Sequence, residues 1–189
     1  LKRVKRQGWL DRGVDEPESV ADHSWGVALL AWALSSERDD LDGNRVLLLG
    51  LVHDLPEALA GDTTPFDSER DSAGLIAARH FERVPEYSEE LDRQKRALES
   101  DALEEMLAGL SGSLADDIRS AWWEYELAET AEARFVKQID KLETAMQAER
   151  YAREQTDLVL ESFRRGAFRD VRDERLLRIL ESIVGASGD

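Results

Sequence analysis

The sequence predicts an all-α protein, on three observations. Apolar residues recur at helical spacing along most of the chain. Only four prolines interrupt it, at 17, 56, 65 and 85. Its 42% hydrophobic and 35% charged residues are the balance of a globular chain, not of a disordered one. A chain of 189 residues can bury one substantial core, and no repeat, low-complexity tract or linker divides it. Residues 1–189 are therefore expected to form a single domain.

The first strong element runs from Ser19 to Ser36, where His23, Val27, Leu30 and Leu34 share one helical stripe, so the imidazole is expected to point inward with the core. A second helix begins after Asp42 or Asn44. Val46, Leu49, Gly50 and His53 lie along its inner face, with Gly50 permitting a close helix contact. Pro56 disfavours helix at Leu55 and removes a donor, which predicts a break or kink beside His53 and Asp54. A short helix over 57–60 then gives way to the loop Gly61-Asp-Thr-Thr-Pro65, which carries Asp62. From about 68 to 117 the chain is charged and helical in pattern, with an amphipathic helix over 101–110 closed by Gly112, and little chemistry. Leu114, Ile118, Trp122 and Tyr125 mark another helix, and Phe135, Ile139, Leu142 and Met146 the next. Asp140 adjoins that last stripe. A final helix with Leu176, Leu177, Leu180, Ile183 and Val184 is expected to pack outside the site.

The net charge of −16 opposes binding to nucleic-acid polymers and anionic lipid. Lys2, Arg3, Lys5, Arg6 and Arg12 run against that trend, either as a landing point for a small anion or as a solvated basic end. Apolar stretches are too short to span a membrane, and the first residues lack the apolar core of a secretory signal, so a soluble cytoplasmic protein is expected. With no cysteine, any metal must be held by nitrogen and oxygen. No Gly-rich phosphate loop is present, which argues against a nucleotide kinase.

Two inward histidines on successive helices, an aspartate beside one of them at a proline break, and a later aspartate at the core edge form a joint pattern. His23, His53, Asp54 and Asp140 can close around one divalent cation, where an unpaired carboxylate would otherwise carry a desolvation cost. Each residue alone has a plainer reading: a lone core histidine is usually just hydrogen-bonded, and an Asp can be a helix cap. His80 lacks comparable company and reads as structural or exposed.

These residues sit in longer words: Leu1-Lys-Arg-Val, Arg6-Gln-Gly-Trp9, Arg12-Gly-Val14, Pro17-Glu-Ser-Val-Ala-Asp-His-Ser24, Leu51-Val-His-Asp-Leu-Pro-Glu-Ala58, Gly61-Asp-Thr-Thr-Pro65, Trp123-Glu-Tyr-Glu126 and Ala131-Glu-Ala-Arg-Phe-Val-Lys-Gln-Ile-Asp-Lys-Leu-Glu143. In that order they resemble the HD-domain metal-dependent phosphohydrolases, and more narrowly the 5′-deoxynucleotidases among them. The resemblance covers most of the chain, with a metal-binding core at about 17–65 and 118–150 and a variable helical region at about 68–117.

The resemblance implies an HD-domain helical bundle with a buried divalent-metal site, in which His23, His53, Asp54 and Asp140 hold one ion. Manganese, cobalt, magnesium, zinc, nickel and iron all remain open. It implies hydrolysis of (deoxy)nucleoside 5′-monophosphates to nucleoside and orthophosphate, and a homodimer, for which Trp25, Trp32, Trp122 and Trp123 are interface candidates as well as core ones. Glu57 is implied as the group that orients or deprotonates water. Asp62 either protonates the departing oxygen, binds the sugar or braces its turn. Arg6 and Trp9 are implied to approach phosphate and sugar, with Arg12 a second phosphate candidate and Thr63 and Thr64 possible hydroxyl donors. The competing readings are a hydrolase of a nucleoside triphosphate, cyclic dinucleotide or alarmone, and a noncatalytic helical module stapled by its metal.

Overall fold

A computed structural model describes residues 1–85 and 88–186. Its helices are α1 (Gln7–Leu10), α2 (Val20–Ser35), α3 (Gly43–Val52), α4 (Glu57–Ala60), α5 (Glu89–Leu107), α6 (Gly112–Leu127), α7 (Ala131–Glu154), α8 (Glu161–Asp170) and α9 (Glu174–Gly185), with 3-10 turns at Asp67–Glu69 and Ala78–Glu82. No strand forms among the described residues; a lone bridge between Lys5 and Ser19 ties the N-terminal segment to the start of α2.

Side-chain caps set the main boundaries. Ser19 accepts the Asp22 amide while the Asp22 carboxylate accepts the Ser19 amide, a reciprocal box that starts α2. Asp42 accepts the amides of Asn44 and Arg45 at α3, and Thr130 accepts that of Ala133 at α7. Helices α2, α3 and α7 pack on one another, joined by α6, α8 and α9. Val27, Ala31, Val46, Leu49, Val136, Ile139 and Leu142 make their shared core, and each large apolar side chain there contributes roughly 1.5–3 kcal/mol by leaving water. At the α2–α3 crossing a Cβ on Gly50 would lie 2.6 Å from the Ala28 Cα, so the close contact read from the sequence is real.

Several sequence expectations change. The helix expected at 101–110 begins at Glu89, and Gly112 opens α6 instead of closing α5, with Ser111 in extended backbone before it. Leu114 and Met146 are exposed ends of their stripes. Trp122 is a core residue packed with Leu103, Leu107 and Ala115. The last helix does lie outside the cavity, as expected, and joins the main core through Leu176 and Leu180. His80 is structural, facing Glu69 at 3.2 Å. No described helix is long and apolar enough to cross a membrane.

Candidate active site

The C-terminal end of α3 and the first turns of α2 and the middle of α7 meet where their inward stripes cross. His23, fully buried on α2, and His53, the residue just after α3, stack edge to face with ring centroids 5.4 Å apart. The turn imposed before Pro56 brings Asp54 to the same point. His53 Nε2 lies 3.2 Å from Asp54 Oδ2, and His23 Nε2 lies 3.7 Å from that oxygen and 3.3 Å from Asp140 Oδ1. Of the four residues named from the sequence, His23, His53 and Asp54 therefore converge, and Asp140 adjoins them through His23.

The donor atoms fit a cation. Both Nε2 atoms are buried and make no hydrogen bond, an arrangement that costs free energy unless something accepts those lone pairs. Ligands bound to one ion at about 2.1 Å stand about 3 Å apart at right angles, close to the spacings found. The other ring nitrogens fix the tautomers. His53 Nδ1 is 2.8 Å from the Gly50 carbonyl, which can only accept, so that nitrogen carries the proton and Nε2 the lone pair. His23 Nδ1 is 2.6 Å from Glu143 Oε2, and the carboxylate orients that ring in the same way. Room for Glu143 is left by Gly26, where a Cβ would lie 2.8 Å from its Oε1.

The carboxylates around the histidines draw positive charge to this point, as a proton or as a cation. Burial and Arg6 push the His23 pKa down, but Asp140 and Glu143 prevail and raise it to about 9. Although burial opposes ionisation, His53, Arg6 and His23 hold Asp54 well below the carboxylate range. Asp140 is likewise held low against burial by Lys141 and both histidines, and its Oδ2 accepts from Lys141 Nζ at 2.9 Å and Tyr125 Oη at 3.3 Å. Glu57 is buried with Oε2 unbonded; burial, then Asp54 and Asp62, push its pKa up to about 10. Asp62 is raised chiefly by burial while its Oδ2 accepts the Gln7 amide at 2.6 Å. A cluster that crowds this many carboxylates together is one that a cation stabilises.

The cluster opens on a cavity of about 420 Å³, within the range of small-molecule sites. Arg6, Trp9, Arg12, Asp54, Glu57, Asp62 and Thr63 line it. Their states differ. Arg6 gives Nη1 to Asp54 Oδ2 at 3.2 Å and lines the cavity. Arg12 is engaged on every nitrogen, with Nε on the Val159 carbonyl, Nη1 on the Gly8 carbonyl and Nη2 on Ser162 Oγ, and it stacks on Phe81 and Phe163 at 4.0 and 4.1 Å. Trp9 is buried against Tyr151 and Phe163, its indole N–H donating to Glu18 at 2.9 Å. Thr64 is a local turn residue bonded to Asp67.

Sequence reasoning missed Glu143, although its place three residues after Asp140 puts it on the same helical face. It also assigned no chemistry to α5, whose Lys95, Arg96 and Glu99 line the cavity.

The sequence matches the HD domain family over residues 1–179. A human protein named as a 5′-deoxynucleotidase is 34% identical over 151 residues, 80% of this chain and 63% of that protein. A *Xenopus laevis* protein of the same name is 37% identical over 80% of this chain and 64% of its own, and a *Dictyostelium discoideum* one 33% identical over 82% and 73%. This chain thus spans just under two thirds of the human and frog proteins. A conserved hypothetical protein of *Pyrococcus furiosus* superposes with a TM-score of 0.69 at 28% identity, over 97% of this chain and 92% of that one.

Proposed function

Because the chain belongs to the HD-domain family, we propose that it hydrolyses (deoxy)nucleoside 5′-monophosphates to nucleoside and orthophosphate. The observation that carries this reading is the pair of unbonded, buried Nε2 atoms of His23 and His53 beside Asp54 and Asp140, at the wall of a nucleotide-sized cavity. His23, His53, Asp54 and Asp140 would hold one divalent cation, and such an ion supplies charge neutralisation for phosphoryl oxygens and acidification of water. The nitrogen and oxygen donor set suits manganese, cobalt, magnesium, zinc, nickel or iron.

The chain's own residues do the rest. Water attacks phosphorus, the bond from phosphorus to the 5′ oxygen breaks, and one proton leaves the water while another reaches the departing oxygen. Glu57 takes the first: it is buried at the cavity with Oε2 unbonded, and a neighbouring cation would favour the ionised form that accepts a proton. Asp62 gives the second: one of its oxygens is fixed as acceptor by the Gln7 amide, and burial makes its carboxyl hold a proton more tightly than a free one. Arg6 binds phosphate, since Arg12 has its nitrogens engaged and instead fixes the cavity wall. Trp9 shapes the floor under the sugar, and Thr63 lines its rim.

Trp25, Leu29 and Trp32 follow one another at i, i+4 and i+7 on α2 and are 64%, 43% and 49% exposed. We propose that a second copy of the chain covers this stripe; Trp32→Arg should convert a dimer to a monomer by light scattering. A cytoplasmic location follows from the proposed substrates.

The test is phosphate release from nucleoside mono-, di- and triphosphates after chelation and readdition of single metals. Metal-restored orthophosphate from monophosphates alone is expected. Tripolyphosphate from triphosphates, or no product from any of them, would sink the assignment.

A further inference from the structure

We propose that Lys95, braced by Glu99, is a binding residue for the substrate's terminal phosphate, an inference that rests on the phosphomonoesterase reading of this cavity. Lys95 stands on α5, which packs on α4, the short helix that begins with Glu57. It lines the same cavity as Arg6, Asp54, Glu57 and Asp62. Its charge bears directly on Asp54, Glu57 and Asp62.

The other cations lining the cavity have partners of their own: Arg6 donates to Asp54, Lys141 to Asp140 and Arg169 to Asp170, Arg96 is divided between Asp92 and Glu126, and the Lys137 ammonium lies 4.0 Å from the Tyr125 ring centre. Each nitrogen of Arg12 makes a hydrogen bond, as described. Lys95 makes one hydrogen bond among the described residues, to Glu99, so two of its three N–H donors remain.

Stability alone does not account for the pair. The Glu99 side chain is 7% exposed and that of Lys95 26%, and a buried ion pair contributes little over an apolar pair of the same size. The apolar anchoring of α5 falls to Ala102, Leu103 and Leu107, further along the helix. Glu99 instead holds the ammonium at the lining of the cavity that Arg6 also lines. An ammonium there favours the dianionic phosphate of a monoester over the single charge of a cyclic diester.

Inorganic phosphate, the reaction product, is the probe. In the metal-loaded full chain, Lys95→Met should weaken phosphate binding by about tenfold to a hundredfold, the effect of losing one charge-assisted hydrogen bond. KM for the best-cleaved monophosphate should rise with it, while manganese affinity by calorimetry stays unchanged. Lys95→Arg should recover much of the phosphate affinity. Phosphate affinity within about twofold of the parent would overturn the proposal, as would a parallel loss of manganese affinity, which would make the pair a prop for the metal ligands. A parent chain that binds no phosphate overturns it too. A parent that binds phosphate but cleaves no monophosphate defeats the proposed function separately, and the Lys95→Met titration still decides the role of the lysine.

Discussion

Helices α2, α3 and α7 pack Val27, Ala31, Val46, Leu49, Val136, Ile139 and Leu142 against one another, whereas α5, nineteen residues long, buries only Glu99, Ala102, Leu103 and Leu107. The first region is held by continuous apolar contact, and there the proposed ligands His23 and His53 sit with their rings locked by Glu143 and the Gly50 carbonyl. The second is a polar arm, attached by one short apolar edge, whose Lys95, Arg96 and Glu99 line the same cavity. Metal binding demands fixed donors, and substrate capture tolerates a looser partner. The contrast teaches that one cavity draws geometry from one side and charge from the other.

The harshest way to break that contrast is to remove a donor from the rigid side. His53→Ala should abolish metal binding and reduce activity to background, read by calorimetry and phosphate release; retained manganese affinity would deny the core its role. Glu57→Gln should keep metal and fold but lower kcat by about 10²–10⁴, the range for losing a positioned general base, and full activity would remove Glu57 from the mechanism. Next come stability changes. Leu142→Ala should cost about 2–5 kcal/mol, as a large truncation in a close-packed core does, while Leu98→Ala, on an exposed turn of α5, should leave the denaturant midpoint nearly where it was. Equal losses would erase the distinction between the two regions. Gly50→Ala should destabilise by about 1–3 kcal/mol, since the added methyl meets the Ala28 backbone. The gentlest probe is amide exchange, in which the amides of α7 should be protected longer than those in the first half of α5.

The rigid region was legible in the sequence because its signals are local. His23 with Val27, and His53 with Val46, Leu49 and Gly50, each declare a buried face within a few turns, and Pro56 marks the break that turns Asp54 inward. Asp140 was legible through its neighbours Ile139 and Leu142, both fully buried. What stayed hidden depends on distant partners. Arg12 reads as a free cation until Phe81, Phe163 and Ser162 surround it. Lys95 reads as one more charge in a charged helix until α5 lies beside α4. The start of α5 was missed because its first half carries too few apolar residues to show a period, and α1 because it spans only four residues.

The Arg12 cage also has a meaning in time. Its guanidinium joins the Gly8 carbonyl to Val159, Ser162 and Phe163, which lie 147, 150 and 151 positions after Arg12. During synthesis on the ribosome, the histidines and Asp54 emerge early, yet this wall of the cavity cannot close until Phe163 has been added. Nascent chains therefore carry an unfinished cavity from the emergence of Asp54 until Phe163 is added, and a fragment ending before residue 159 would present those histidines with one side open to bulk water.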